Sequence, residues 1–375
     1  MYFKEIKLEN FRNYKKEKIQ FHPKINIITG KNAQGKTNLL ESLYIMSLGK
    51  SFRTNKDTEM IGFSEEYSIA RCSYIKENRE ESIEIIITKE GKAIKIDGEK
   101  AQKSSDLLER AYIVIFSPED LKIVKDEPEK RRKFIDRELC QLKPVYYNNL
   151  VRYKKTLLQR NALLKKGIED KELLEVWDKE LAEYGSKLIK ERKNFIEKIN
   201  RLSKELHSGI TDGKEELQLY YESGLPLSDN IEEIKLAFTD ILKKEIKKDI
   251  FKGSTGIGPH KDDIKICINN VDARHYGSQG QQRTAALSLK LAELQLIKEE
   301  KGEDAVLLLD DVLSELDEER QHFLIKSLSD VQLFITATEL GEYLSNNISE
   351  GYIFVVNSGR VEKRFDKKDS KMYNQ

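Results

Sequence analysis

Hydrophobic and polar positions alternate in short runs at both ends of the chain and fall at spacings of three and four in its middle. The pattern therefore predicts sheet, then long helices, then sheet again. Phe3, Ile6 and Leu8 stand among charged neighbours, Asn10-Phe11-Arg12-Asn13-Tyr14 reads as a turn, and Ile19 to Phe21 and Ile25 to Ile28 resume the strand pattern. A helix-like run, Asn38 to Met46, follows. Alternating segments near Tyr67 to Ile75, Ile83 to Thr88 and Ala93 to Ile96, punctuated by Gly91 and Asp97-Gly98, predict an antiparallel flap. Ile113 to Phe116 has the unbroken apolar character of a buried strand. Ser117-Pro118-Glu119-Asp120 then predicts a helix start, with Ser117 as cap and Pro118 in the first helical position.

From about 120 to about 250 the chain turns helical and charged. Leu174, Trp177, Leu181, Tyr184 and Leu188, continued by Phe195, Ile199, Leu202 and Leu206, form a heptad stripe. Leu150, Tyr153, Leu157 and Leu164 form a similar one, and Gly167-Ile168-Glu169-Asp170 predicts the turn between two antiparallel helices. At 1.5 Å per residue the second helix reaches roughly 50 Å, a short arm. Gly209 to Asn230 reads as polar and turn-rich, and Ile231 to Ile250 as helix. A glycine-rich loop at Gly253 to His260 closes the arm, and Ile264 to Ile268 with Asn269-Asn270 predicts a hairpin. A helix follows from about Thr284 to Glu299, then a parallel-type strand at Val306 to Leu309, a helix at Asp317 to Leu328, and strands at Leu333 to Thr336 and Tyr352 to Val356. The division expected is 1–120, a helical arm at 121–252, and 253–375.

Composition narrows the class. With 38% hydrophobic and 35% charged residues, the 375-residue chain suits a soluble protein of about two domains. A net charge of only +1 supplies no global field for nucleic acid, so a polyanion site must arise from local clustering. Cys72, Cys140 and Cys267 form no C-x-x-C, which disfavours a zinc site or disulfide framework and fits a reducing cytoplasm. No apolar run approaches membrane-spanning length, and no export signal is read.

The chemistry concentrates first in Gly30-Lys31-Asn32-Ala33-Gln34-Gly35-Lys36-Thr37, a G-x-x-x-x-G-K-T phosphate loop between a strand and a helix. Its amides and the helix N-terminus suit an anion, Lys36 suits the β- and γ-phosphates, and the Thr37 hydroxyl suits Mg²⁺. Asp310, at the carboxyl end of an apolar strand, is the second candidate Mg²⁺ ligand, and Asp311 the candidate for positioning or deprotonating an attacking water. Ser278-Gln279-Gly280-Gln281-Gln282 places a hydroxyl and a glycine at a second helix start, a further anion site. Two such sites far apart in sequence suggest two chains arranged head to tail, each supplying half of an ATP site. Between 131 and 166 lie eleven basic and two acidic residues, a local charge of about +9. Within it Arg131, Arg132, Arg152, Lys155 and Lys166 are the candidate DNA contacts, through phosphates and without sequence preference.

These motifs resemble those of the ABC-type ATPase heads of the SMC-like kind, and among them the RecF family of bacterial repair proteins. The resemblance runs through Leu8 to Tyr14, the phosphate loop, Ser117 to Asp120, Arg131 to Asp136, Gly258 to Asp263, Tyr276 to Arg283 and Leu308 to Asp317. It implies an α/β fold, with mixed and antiparallel sheets around the phosphate loop and an inserted helical arm. It also implies ATP and Mg²⁺ as cofactors, ATP-dependent dimerisation and binding to single-stranded, duplex or junction DNA. A part in loading RecA at gaps with RecO and RecR follows from it, as do roles in replication restart and the SOS response. Residue by residue it assigns Gly30 to Thr37 to the triphosphate and Mg²⁺, Asp310 to Mg²⁺, Ser278 and Gly280 to the partner chain's γ-phosphate, and Arg12 and Asn13 to nucleotide. Asp311 stands where the usual residue is Glu, and Ala337-Thr338 where transporter-type ATPases carry His, so a slow, clamp-like ATPase is expected. A transporter-type subunit and an SMC-like tether are the competing expectations. The arm has no room for a hinge, which disfavours the tether.

Overall fold

The structure, a computed structural model, describes residues 1–167, 171–328, 331–338 and 350–366. In chain order it runs β1 Tyr2–Phe11, β2 Tyr14–Gln20, β3 Ile25–Thr29, α1 Lys36–Leu48, β4 Tyr67–Lys76, β5 Arg79–Thr88, β6 Lys92–Ile96, β7 Glu99–Lys100 and β8 Ile113–Phe116. Next come α2 Pro128–Leu142, α3 Pro144–Lys166, α4 Lys171–Ile210, β9 Leu217–Glu222, α5 Ile231–Lys252, β10 Asp263–Ile268, β11 Val271–Asp272, α6 Ala273–Tyr276 and α7 Gln279–Lys301. The chain ends with β12 Val306–Leu309, α8 Glu318–Lys326, β13 Leu333–Ala337, β14 Tyr352–Asn357 and β15 Arg360–Asp366. It divides into two compact units, one of Met1–Leu121 with Glu293–Gln375 and one of Lys122–Ala292. The second unit thus continues to Ala292, past residue 252 where the sequence pattern ends the arm, because β10 pairs with β9 inside it.

The first unit holds two six-stranded sheets. One is antiparallel, in the order β2-β1-β4-β5-β6-β7; the other runs β15-β14-β3-β13-β12-β8. In the latter, β14, β3, β13, β12 and β8 pair in parallel and only β15 is antiparallel. Parallel strands need both faces covered, which is why Ile113–Phe116 and Val306–Leu309 are apolar without alternation and buried throughout. Helix α1 is buried on nearly all sides, Leu39 to Ser47 without a break. It lies against strands of both sheets, so its run lacks the one-sided stripe of a surface helix. Phe3, Ile6, Leu43, Ile45, Ile85, Leu308 and Phe334 belong to the one core these layers share.

In the second unit α3 and α4 pack along each other, and Leu181, Leu188, Ile199 and Leu202 of the predicted stripe are buried. Of the turn expected at 167–170, Gly167 ends α3 in the left-handed region at φ +81°, and residues 168–170 lie outside the described residues. Two expectations are corrected. Ser117–Asp120 does not open a helix: Asp120 Oδ2 accepts from the Ser117 amide at 2.9 Å and hydroxyl at 2.7 Å, a single 3-10 turn follows, and the helix begins at Pro128. The segment read as polar turn from Gly209 to Asn230 contains β9, whose Leu217 and Leu219 are buried against the adjoining helix.

Candidate functional site

The sheet topology assembles the first site. β3, β13 and β12 are neighbours running the same way, so the loops after β3 and β12 leave the same edge with Thr336 of β13 between them. Gly30 and Gly35 both stand at positive φ, +146° and +123°. A Cβ at Gly30 would meet the Val356 carbonyl oxygen at 2.3 Å and one at Gly35 the Asn13 amide at 2.8 Å, so only glycine lets the loop close this tightly. The Asn13 side chain donates to the Gln34 carbonyl at 2.8 Å and accepts from Asn38 at 2.8 Å, and the Gly359 amide donates to the same carbonyl at 2.8 Å. Asn13 therefore shapes the loop.

The Lys36 ammonium is buried and donates to the carbonyls of Gly30 at 2.8 Å and Lys31 at 3.3 Å. Thr37 Oγ1 donates to Asp310 Oδ1 at 2.8 Å, which also accepts from Thr336 Oγ1 at 3.1 Å. Burial pushes the Asp310 carboxyl above its ordinary range, against the hydrogen bonds from Thr37 and Thr336 that favour its ionised form. A hydroxyl and one carboxylate in contact are the hard-oxygen set that suits Mg²⁺ shared with phosphate. Among the described residues no cluster of three or more acidic, His or Cys side chains offers another metal site. Helix α1 starts at Gly35 with no side-chain cap, so its first-turn amides suit an anion. Asp311 is held in the left-handed region at φ +52°, and its amide donates to Thr336 Oγ1 at 2.8 Å.

Arg12 is aimed rather than loose. Its Nε and one terminal nitrogen reach Glu41 at 2.8 and 2.7 Å, and Arg53 donates to the fully buried Glu41 at 3.4 Å and to Asn38 at 2.6 Å. Sequence reasoning missed three parts of this site: Thr336, Glu41, and the Ser358-Gly359 turn whose amides bond Gln34. Asn357-Ser358-Gly359 is legible as a turn, but nothing in the sequence says where it packs.

In the second unit Ser278 is exposed just before α7, which begins at Gln279, five residues earlier than its apolar pattern indicates. Ser278 and Gln281 cap each other, the Gln281 amide donating to Ser278 Oγ at 3.2 Å and the Ser278 amide to Gln281 Oε1 at 2.9 Å. Gly280 lies in the first turn.

The basic run separates into interior and surface. Arg131, assigned above to DNA, is 2% exposed, its fork closed on Asp263 at 2.6 and 2.8 Å; a guanidinium so paired inside the fold does not meet DNA. Arg132 is half-buried and donates to the Asp262 carbonyl at 2.8 Å. Arg152, Lys155 and Lys166 of α3 are exposed and share a face spanning about 60° at 100° per residue. Arg152 also lies over the Tyr184 ring, 5.6 Å from its centre.

Comparison with known proteins identifies the family and the fold. The family described as RecF/RecN/SMC N terminal domain matches residues 2–370. The DNA replication and repair protein RecF of Clostridium kluyveri is 47% identical over 97% of this chain and 100% of its own length. That of Clostridioides difficile is 46% identical over 96% and 98%. Among solved structures, the recombination mediator protein RecF of the RecFOR pathway superposes with a TM-score of 0.89 as RecF-ATPrS, at 41% identity over 96% of this chain and 97% of that one. The SMC head domain from Pyrococcus furiosus, 18% identical over 97% of this chain and 96% of its own with a TM-score of 0.55, shares the fold.

Proposed function

The chain belongs to the RecF family of SMC-like ATPase heads, and from that premise we propose that it is an ATP-dependent DNA-binding protein of recombinational repair. The observation that carries this reading is the convergence of Lys36, Thr37 and Asp310 at one sheet edge, with Thr37 Oγ1 2.8 Å from Asp310 Oδ1. Gly30, Lys31, Asn32, Ala33, Gln34 and Gly35 wrap the triphosphate, and Lys36 turns from its own loop's carbonyls to the β- and γ-phosphates. Thr37 and Asp310 would hold Mg²⁺, which when bound would offset negative charge on the phosphates. Asn13 keeps the loop closed, and Glu41 aims Arg12 and Arg53 at the nucleotide. Asp311 orients the attacking water from a side chain one methylene shorter than a Glu, so hydrolysis is slow; stimulation by DNA is a separate expectation.

Ser278 and Gly280 complete the site of a second copy, so that ATP closes a homodimer. Arg152, Lys155 and Lys166 meet DNA phosphates, with single-stranded, duplex and junction forms as the substrates to compare. RecR and RecO are the expected partners, with RecA acting downstream of them, in the cytoplasm.

Sedimentation with Mg²⁺ and ATP, with and without short duplex DNA, tests the scheme. Wild type is expected to shift from monomer to dimer, Lys36→Ala to stay monomeric, and Ser278→Arg to bind nucleotide without dimerising. Dimers of Lys36→Ala formed with ATP would overturn the phosphate-loop assignment.

A further inference from the structure

The second unit contains a side-chain relay that ends at Ser278. His207, in the last turn of α4, is fully buried. Its Nδ1 lies 3.1 Å from Ser288 Oγ of α7 and its Nε2 3.3 Å from Glu215 Oε2. Glu215 follows α4 on a tight turn closed by Thr211, whose amide and hydroxyl both donate to the His207 carbonyl, at 3.0 and 2.8 Å. The other carboxylate oxygen, Glu215 Oε1, accepts from Gln281 Nε2 at 2.9 Å. Gln281 Oε1 in turn accepts from the Ser278 amide, and its own amide donates to Ser278 Oγ. Every polar atom of the Gln281 side chain is thus assigned, its nitrogen to Glu215 and its oxygen to Ser278.

A plain helix cap needs only the Ser278–Gln281 pair. What the pair lacks is a fixed rotamer for Gln281, a long side chain that loses much conformational freedom when ordered. Glu215 supplies it with a charge-assisted bond, and His207 orients Glu215 from a buried position it also uses to grip Ser288, two turns further along α7. The loop and its helix are held at two points by one imidazole–carboxylate pair.

We propose that Glu215, backed by His207, is a positioning residue for the in-trans half of the nucleotide site: it fixes Gln281 and through it the Ser278 hydroxyl that meets the partner's nucleotide. The inference rests on the reading that Ser278 acts across a dimer. Neither residue touches nucleotide. Their loss acts on dimer closure and on turnover in the dimer, and leaves nucleotide binding by the monomer unchanged.

The test compares Glu215→Ala, Glu215→Gln, Gln281→Ala and Ser278→Arg in the full chain, reading monomer ATP affinity, the ATP-dependent dimer dissociation constant, and kcat against KM. Glu215→Ala and Gln281→Ala are expected to weaken the dimer about tenfold, the effect of losing one charge-assisted hydrogen bond, with monomer ATP affinity and KM unchanged and kcat lowered. Glu215→Gln keeps an acceptor for Gln281 and is expected to restore most of the dimer, which a merely destabilised fold would not do. Because Gln281 is only half-buried, its alanine variant reports on the relay even if Glu215→Ala unfolds. Normal dimers from Glu215→Ala and Gln281→Ala, beside blocked dimers from Ser278→Arg, overturn the inference alone. Normal dimers from Ser278→Arg overturn the in-trans reading and the inference with it.

Discussion

Replacing Arg160 by Met separates the interior charges of the second unit from its surface charges. Arg160 is fully buried; its Nε donates to Asp178 Oδ1 at 2.6 Å, and one terminal nitrogen donates to Asp249 Oδ2 at 2.7 Å and Thr255 Oγ1 at 2.8 Å. Met preserves most of the buried volume but leaves two carboxylates, 9% and 2% exposed, without their cation. Breaking a buried pair by removing one partner costs about 3–5 kcal/mol, and two orphaned acids place this site at about 4 kcal/mol near pH 8. Burial already raises the Asp178 carboxyl, with Arg160 opposing it, so removal raises it further. For an acid with a raised folded-state value the native state binds more protons than the unfolded chain between the two values, so stability falls as pH rises through that window. The deficit of Arg160→Met is therefore largest above the window and shrinks as pH falls toward the ordinary carboxyl range. Urea unfolding followed by circular dichroism at pH 8 and pH 5 measures it, and adding Asp178→Asn with Asp249→Asn is expected to recover part of the loss. A deficit below about 1 kcal/mol at pH 8, or one equal at both pH values, would show that water reaches these carboxylates and would refute the reasoning.

The same partition governs the remaining cases. Changing Arg152, Lys155 and Lys166 together to Gln is expected to weaken duplex binding and flatten the slope of log affinity against log salt by up to about 2.7, whereas an unchanged slope places the DNA elsewhere. Arg131→Gln is expected to cost about 3 kcal/mol of stability by releasing Asp263, visible in the unfolding midpoint. Asp311→Glu is expected to raise single-turnover hydrolysis, since the longer side chain brings the carboxylate nearer the water; a slower variant contradicts the proposed role. His260 is held neutral by burial, its pKa lowered from 6.5 to about 4, so the unfolded chain takes up the proton first. Stability is then complete above about pH 6.5 and declines by roughly 3 kcal/mol as pH falls toward 4, a dependence His260→Gln is expected to flatten in pH-resolved denaturation.

What the sequence made legible was local. The phosphate loop could be read because its function requires glycine, Lys and a hydroxyl at fixed spacing, and the parallel strands because burial on both faces demands unbroken apolar runs. What it hid was destination. β9 reads as polar turn because only Leu217 and Leu219 face inward, and its partner β10 lies across α5 in the chain. Thr336 is an ordinary strand threonine until β13 is placed between β3 and β12. Ser117-Pro118 carries every local mark of a helix start, yet Asp120 satisfies Ser117 within a single turn and the chain leaves it at once. The charge count between 131 and 166 overstated the surface, because Arg131 and Arg160 point inward to acids from 178 to 263 that no local window includes.

The ordering of rigid and yielding parts around Asp310 bears on why the site suits a clamp. The residues proposed to hold metal are anchored by secondary structure: Thr37 by the buried α1 behind β3, and Asp310 by the end of β12 and by the hydrogen bond it accepts from Thr336 of β13. Asp311 is differently placed. Its backbone stands in a left-handed conformation that costs a non-glycine residue energy, kept there by the Thr336 hydroxyl on its amide and the Ser314 hydroxyl on its carbonyl, 2.8 Å each. Those bonds fix the main chain, and the short side chain has little reach beyond it. On the proposed assignment, binding draws on preorganised groups while hydrolysis waits on the least extended one, so a closed state would persist until the chemistry ends it. In such an arrangement affinity and dimer lifetime respond to Thr37, Asp310 and Ser278, and the rate of release responds to Asp311, so the two can be varied separately.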